Sequence, residues 1–142
     1  MSVPTIAVDF DGTLVKHRYP KIGDEVPGAI EWCKRWQAAG AQLILLTMRD
    51  YNTPSPTSKL PGANVLADAL QWCLERGVWF WGTNENPEQS SWSKSPKVYA
   101  HVYVDDANAC APLIYEPERP FLDWTVIGPG VLWTIKCMSE TR

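Results

Sequence analysis

"TIAVDFDGTLVKH", residues 5–17, decides the fold of this chain. Its first six residues, 5–10, read as a short buried strand by length and by branched side chains. The strand runs straight into Asp9 and Asp11, with Gly12 and Thr13 directly behind. Two carboxylates at the end of a buried strand are costly unless a cation offsets them. The stretch is therefore either surface punctuation or a place that holds a metal and does chemistry.

Working outward, a polar loop (16–28) leads into AIEWCKRWQAAG (29–40). That segment reads as a helix, with Pro27 in its first turn and Gly40 ending it. AQLILLT (41–47) is the most continuous apolar run in the chain, which suggests an interior parallel strand. A Pro/Ser/Thr-rich loop (49–62) follows, then a second helix over 64–77 with Asn64 as N-cap and Gly77 as stop. VWFWGT (78–83) reads as a third strand and HVYVDD (101–106) as a fourth, again ending in acids. APLIYE (111–116) is a possible fifth, and residues from Pro129 to about Glu140 read as a final helix. This alternation predicts an α/β domain: three layers, doubly wound, with a mostly parallel sheet, formed by residues 1–142 as one unit.

In such sheets all strand carboxyl ends lie on one edge, and ligands bind there near the point where strand order reverses. The expected first strand ends at Asp9 and Asp11, the second at Thr47 with Met48, Arg49 and Asp50 behind it, and the fourth at Asp105 and Asp106. Four converging carboxylates repel, and a Mg²⁺ ion with a lysine would neutralise them, because hard oxygen ligands suit Mg²⁺.

The 142-residue length and 45% hydrophobic content fit one core. A net charge of −3, without a basic stripe, argues against a nucleic-acid surface. Cys33, Cys73, Cys110 and Cys137 are widely spaced and read as reduced, mostly buried thiols. No signal peptide and no apolar run of membrane-spanning length is evident, so the expectation is a cytoplasmic protein without a membrane partner.

DFDGTL at 9–14 resembles the first motif of the haloacid-dehalogenase-like (HAD) superfamily. LLTMRD at 45–50 is similar to its second, and KVYAHVYVDD at 97–106 to its third and fourth. Small phage and bacterial members resemble the chain further, in YPKIG, DDANA, PLI and DW. The resemblance implies a Rossmannoid HAD-like fold and a Mg²⁺-dependent phosphomonoester hydrolase that forms an aspartyl-phosphate. Asp9 would be the nucleophile and Asp11 the general acid, then the base. Lys97, or Lys94 three residues earlier, would balance charge. Gly12 would turn the backbone so that its amides face the phosphate. With it, Thr13, Thr47, Met48 and Arg49 would line the substrate-binding site. The metal set implied is Asp9, Asp11 through its carbonyl, Asp106 and Asp105, with Asp105 chiefly orienting the lysine. An acid at position 11 favours phosphate esters over haloacids.

Arg49 reads either as a substrate contact or as a partner of Asp50 or another surface acid. His17 and His101 read as non-catalytic, and Trp92 as a minor candidate for stacking on a substrate ring. Residues 14–42 and 49–93 leave no room for a cap domain, so the site is expected to be open, with loop 50–62 as a partial lid. An open site admits phosphorylated macromolecules as well as small esters, and a homo-oligomer built through exposed tryptophans would supply cover. The rival readings are a nucleic-acid 3′-phosphatase, which would want a basic groove beside Asp9, and a non-catalytic binding module.

Overall fold

The computed structural model of the protein describes residues 3–140. Strand β1 (Thr5–Val8) is followed by helix α1 (Ala29–Ala38), strand β2 (Gln42–Leu45) and helix α2 (Val65–Glu75). Strand β3 (Gly82–Thr83), a 3₁₀ turn (Gln89–Ser91) and strand β4 (Val102–Val104) come next. The short strands β5 (Leu113–Ile114) and β6 (Phe121–Leu122) precede helix α3 (Trp124–Glu140).

The sheet runs β3-β2-β1-β4 and every pairing in it is parallel. The molecule is thus an α/β fold with β1 and the apolar β2 in the interior. From β1 the chain steps to β2 and β3 in one direction, then crosses back to β4 on the far side of β1. The order reverses at β1, so the crevice for a ligand lies between the carboxyl ends of β1 and β4.

Side chains alternate across the sheet. Ile6, Val8, Leu43, Leu45 and Val104 share one face and join a core with Trp36 of α1, Leu66 of α2 and Trp124 of α3. Ala7 and Ile44 face the other way and meet Val98 and Ala100. All three helices therefore pack on one face. The expected third helical layer is corrected: a strap over residues 84–101, with a single 3₁₀ turn, covers the second face. The reason is topological, since a right-handed return from β3 to β4 must lie opposite α1 and α2, and this return is too rich in Pro and Ser to be helical.

Three further elements depart from expectation. Over 78–83 the strand is only Gly82–Thr83, and Val78 N–H instead donates to the Cys73 carbonyl at the end of α2. The fifth strand exists but pairs antiparallel with β6 in a separate hairpin. Helix α3 begins five residues before Pro129, which sits inside it. The Asp123 carboxylate takes the Thr125 N–H at 3.0 Å, and Trp124 anchors the first turn by donating its indole N–H to the Thr13 carbonyl at 2.8 Å. That anchoring outweighs the cost of an interior proline. Pro27 precedes the helix; Gly28 is the N-cap of α1, with φ of 85°. Asn64 caps α2 by accepting from Ala67 N–H at 2.8 Å. Cys33 and Cys73 are buried, with burial holding both thiols protonated, whereas Cys110 is exposed.

Helices α1 and α3 meet at Gly128, whose carbonyl accepts the Trp36 indole N–H at 3.1 Å. A Cβ at position 128 would run into the Trp32 indole. The Arg35 guanidinium lies over that ring, 4.7 Å from its centroid. Gly128→Ala gains helix propensity worth about 0.5–1 kcal/mol, but overpacking costs about 1–3 kcal/mol. The variant is therefore expected to unfold at lower denaturant concentration; an unchanged or higher midpoint would show that Trp32 moves aside freely.

Candidate active site at the carboxyl edge of the sheet

Asp9 leaves β1 and donates its N–H to the Val104 carbonyl at 2.9 Å, which locks the ends of β1 and β4 together. Asp105 and Asp106 follow β4. Carboxylate oxygens of Asp9, Asp105 and Asp106 lie within 4.8 Å of one another. Thr13, fully buried, is the clamp: its hydroxyl donates to Asp9 Oδ2 at 3.0 Å and accepts the Asp106 N–H at 3.1 Å.

The crowding has an electrostatic price. Burial first, then the Asp105 charge, push the Asp9 carboxyl up to about 8. Asp105 is raised by burial and by Asp106. Three hard oxygen donors in this arrangement, with Asp9 and Asp105 both destabilised as anions, fit a divalent cation such as Mg²⁺. Asp9, Asp105 and Asp106 are the side chains that would hold it.

The Asp11 carboxylate stands apart from this set. It accepts from Arg49 Nε at 2.8 Å and from Arg49 Nη2 at 2.9 Å, a bidentate pair. The resemblance gives Asp11 to the metal through its backbone carbonyl, and its side chain adds no ligand, since both its oxygens face a guanidinium. For Arg49 the ion-pair reading holds, with Asp11 as the acid, and the substrate-contact reading is corrected. Its side chain is fully buried, and its remaining N–H groups reach the carbonyls of Pro20, Lys21 and Val65 at 3.0–3.3 Å. It has nothing left for a substrate, and it does not pair with Asp50. The Asp50 carboxylate, held below the usual range by the N–H groups of Asn52 and Thr53, belongs to its own turn.

Thr47 and Met48 line the same cavity, of about 500 Å³, as Asp9, Asp11, Asp105 and Asp106. Thr47 Oγ1 accepts from Arg49 N–H at 3.1 Å, which leaves its O–H free to donate. The backbone N–H groups of Asp11 and Met48 donate to no group among the described residues. The amides expected to face a phosphate, those of Gly12 and Thr13, are instead turned inward, to the carbonyls of Val15 and Phe10. Gly12 serves another purpose. At φ of 88°, a Cβ there would collide with His17 and Asp106.

His17, read from the sequence as non-catalytic, lies at this cavity. Its Nε2 lies 3.0 Å from Asp106 Oδ2. A histidine eight positions after Asp9, in a loop without periodicity, carried no signal of this contact. Arg119, on the turn between β5 and β6, also lines the cavity and was not foreseen. Neither Lys94 nor Lys97 lines it. Lys94 donates to the Ser90 carbonyl at 3.0 Å, and Lys97 Nζ lies 5.7 Å from the Tyr103 ring centroid. Trp92 sits at the opposite edge of the sheet, beside Thr5 and His101. His101 there accepts the Thr5 N–H at 3.0 Å. Loop 50–62 folds back on itself through Ser55 N–H to the Ala63 carbonyl at 3.0 Å, and none of its residues lines the cavity.

No protein-family model and no curated protein matches the chain. A solved structure does: the conserved protein coded by a locus of Bacteroides thetaiotaomicron is 32% identical, with a TM-score of 0.67. The alignment covers 99% of this chain and 93% of that one. The chain belongs to the same family as that conserved protein.

The raised Asp9 carboxyl has a testable sign. Its folded value lies above the ordinary 3.8, so the metal-free folded state holds the extra proton between about pH 4 and pH 8. Stability of the metal-free protein therefore falls across that window as pH rises. Asp9→Asn removes the charge and keeps the acceptor for Thr13. At pH 8 without metal the variant is expected to melt several degrees above wild type, on the order of 1–2 kcal/mol, with the gap closing near pH 4. Thermal melts at the two pH values check this; equal melting at pH 8 would remove the repulsion argument.

Proposed function

We propose that this protein is a Mg²⁺-dependent phosphomonoester hydrolase of the HAD type, Rossmannoid in fold, working through an aspartyl-phosphate at Asp9. The observation that carries the reading is the convergence of Asp9 with Asp105 and Asp106 where the strand order reverses, beside Thr47 and Asp11 in one cavity. When bound, the cation would neutralise the three carboxylates and the charge that develops on the phosphoryl group.

The chain's own residues account for the remaining steps. The phosphoryl oxygens are met by the Thr47 hydroxyl and by the free N–H groups of Asp11 and Met48. Asp9 attacks phosphorus in line, forming a carboxylate O–P bond as the ester P–O bond breaks. Thr13 orients that attack by holding Asp9 Oδ2. Water then attacks the phosphorus of the acyl phosphate as the Asp9 O–P bond breaks, releasing inorganic phosphate, and gives its proton to Asp11. While both Asp11 oxygens accept from Arg49, this base role suits it. Donation to the leaving oxygen in the first step needs a protonated Asp11, and hence a loosened Arg49 pair. The charge balance assigned by resemblance to Lys97 falls in this reading to the cation. The groove beside the cavity carries Lys16, Arg18 and Arg119 but also Asp24, Glu116 and Glu118. That balance favours a small phosphate ester over a nucleic-acid end.

The protein belongs, on this reading, to a reducing cytoplasm, where its four cysteines persist as thiols. Among the described residues no helix is long and apolar enough to cross a membrane.

Hydrolysis of p-nitrophenyl phosphate with and without Mg²⁺ tests the proposal. Wild type is expected to turn over only with the metal, and Asp9→Asn to lose at least about 1,000-fold, the scale of removing a nucleophile. Lys97→Ala is expected to keep its rate within a few-fold. Metal-independent turnover, or turnover that survives Asp9→Asn, would refute Asp9 as nucleophile. A collapse in Lys97→Ala would restore the lysine to the site.

A further inference from the structure

The cavity holds two guanidinium groups that differ in what they have left to offer. Every N–H of Arg49 is used inside the protein. Arg119 is exposed, lines the same cavity, and has no hydrogen bond or ion pair among the described residues. Its loop neighbour Glu116 is already taken by Lys16, at 3.2 Å.

The turn that carries Arg119 is tied down. Leu122 N–H donates to the Gly12 carbonyl at 3.0 Å, and Lys16 Nζ lies 5.0 Å from the Phe121 ring centroid. Both anchors belong to the segment directly after Asp11. A second cavity, of about 300 Å³, adjoins the first, and the two share His17 and Arg119. Arg119 thus stands on the border between the acidic floor and a cleft of mixed charge.

The geometry points to Arg119 as a specificity residue that binds an anionic group on the leaving-group side of the substrate. The inference rests on the phosphatase reading above. A phosphoryl group beside Asp9 forces the rest of the ester out past Tyr19, Met48 and Arg119. An unspent guanidinium fork there matches a carboxylate or a phosphate, two N–H groups to two oxygens. A neutral alcohol would leave it in water and gain nothing from it. The favoured substrates are therefore phosphomonoesters of a short carbon skeleton whose far end carries a carboxylate or a second phosphate.

Binding of non-hydrolysable probes tests this without turnover. Calorimetry with Mg²⁺ present compares 3-phosphonopropionate and 4-phosphonobutyrate with propylphosphonate, which lacks the carboxylate. Wild type is expected to bind at least one carboxylated probe about tenfold or more tighter than propylphosphonate. In Arg119→Gln that ratio is expected to fall to within about threefold of unity, with Arg119→Lys between. Equal binding of all three probes by wild type would overturn the assignment. So would an equal loss for all three in Arg119→Gln, which would mark Arg119 as a phosphoryl ligand or a structural residue. Hydrolysis of p-nitrophenyl phosphate, lost in Asp9→Asn, is read separately. If it stands while probe discrimination is absent, the Arg119 inference alone falls; if it is absent, the phosphatase reading falls and takes this inference with it.

Discussion

The buried guanidinium of Arg49 is the constraint on which the site depends. It has no exposure, lies between the rings of Phe10 and Tyr19, and satisfies every donor it owns. In doing so it joins the turn after β1, the loop around Pro20 and the start of α2. A buried charge that lost its partner would cost several kcal/mol, about 3–5 in comparable pairs. Asp11 is therefore both a candidate catalytic acid and the partner that makes a buried Arg49 tolerable. The two roles pull against each other, because a proton donor must leave the ion pair. That tension gives Asp11 a place in the structure that its position in a motif does not convey.

Around this fixed pair the remaining acids are arranged to repel. Thr13 holds Asp9 and Asp106 from beneath through a single hydroxyl, and His17 holds Asp106 from the side. Burial keeps water from screening the three carboxylates, so Asp9 is pushed up to about 8. The fold bears that cost at one place, the crevice where strand order reverses. A divalent cation there would convert repulsion into binding energy. Repulsion without a cation and any affinity for one would be two sides of one arrangement.

Access to the crevice is set by elements that do not belong to the sheet. The β5–β6 hairpin is small, yet its pairing to Gly12 and Lys16 brings Arg119 to the cavity mouth. Loop 50–62, though longer, spends its polar groups on its own turns. Met48 is almost entirely exposed beside the same mouth. Cover over the acids thus comes from the segment after β4, not from the longer loop after β2.

By itself the sequence determined the two interior strands, the helices α1 and α2, and the acids that meet at the carboxyl edge. Apolar runs at β1 and β2, the Asn64 cap and the acids after β1 and β4 are local signals, and periodicity and strand order suffice to place them. Tertiary structure alone decided the partners. Arg49 chose Asp11 over the adjacent Asp50 because burial, not proximity along the chain, sets the worth of an ion pair. Thr13 became a clamp because the parallel pairing of β1 and β4 carries Asp106 to its hydroxyl. The helices gathered on one face because the return to β4 had to cross the other. Lysines at the right spacing before Asp105 turned elsewhere, while His17 and Arg119, without any pattern around them, arrived at the site. Long polar side chains follow packing, and packing is settled by contacts that span the whole chain.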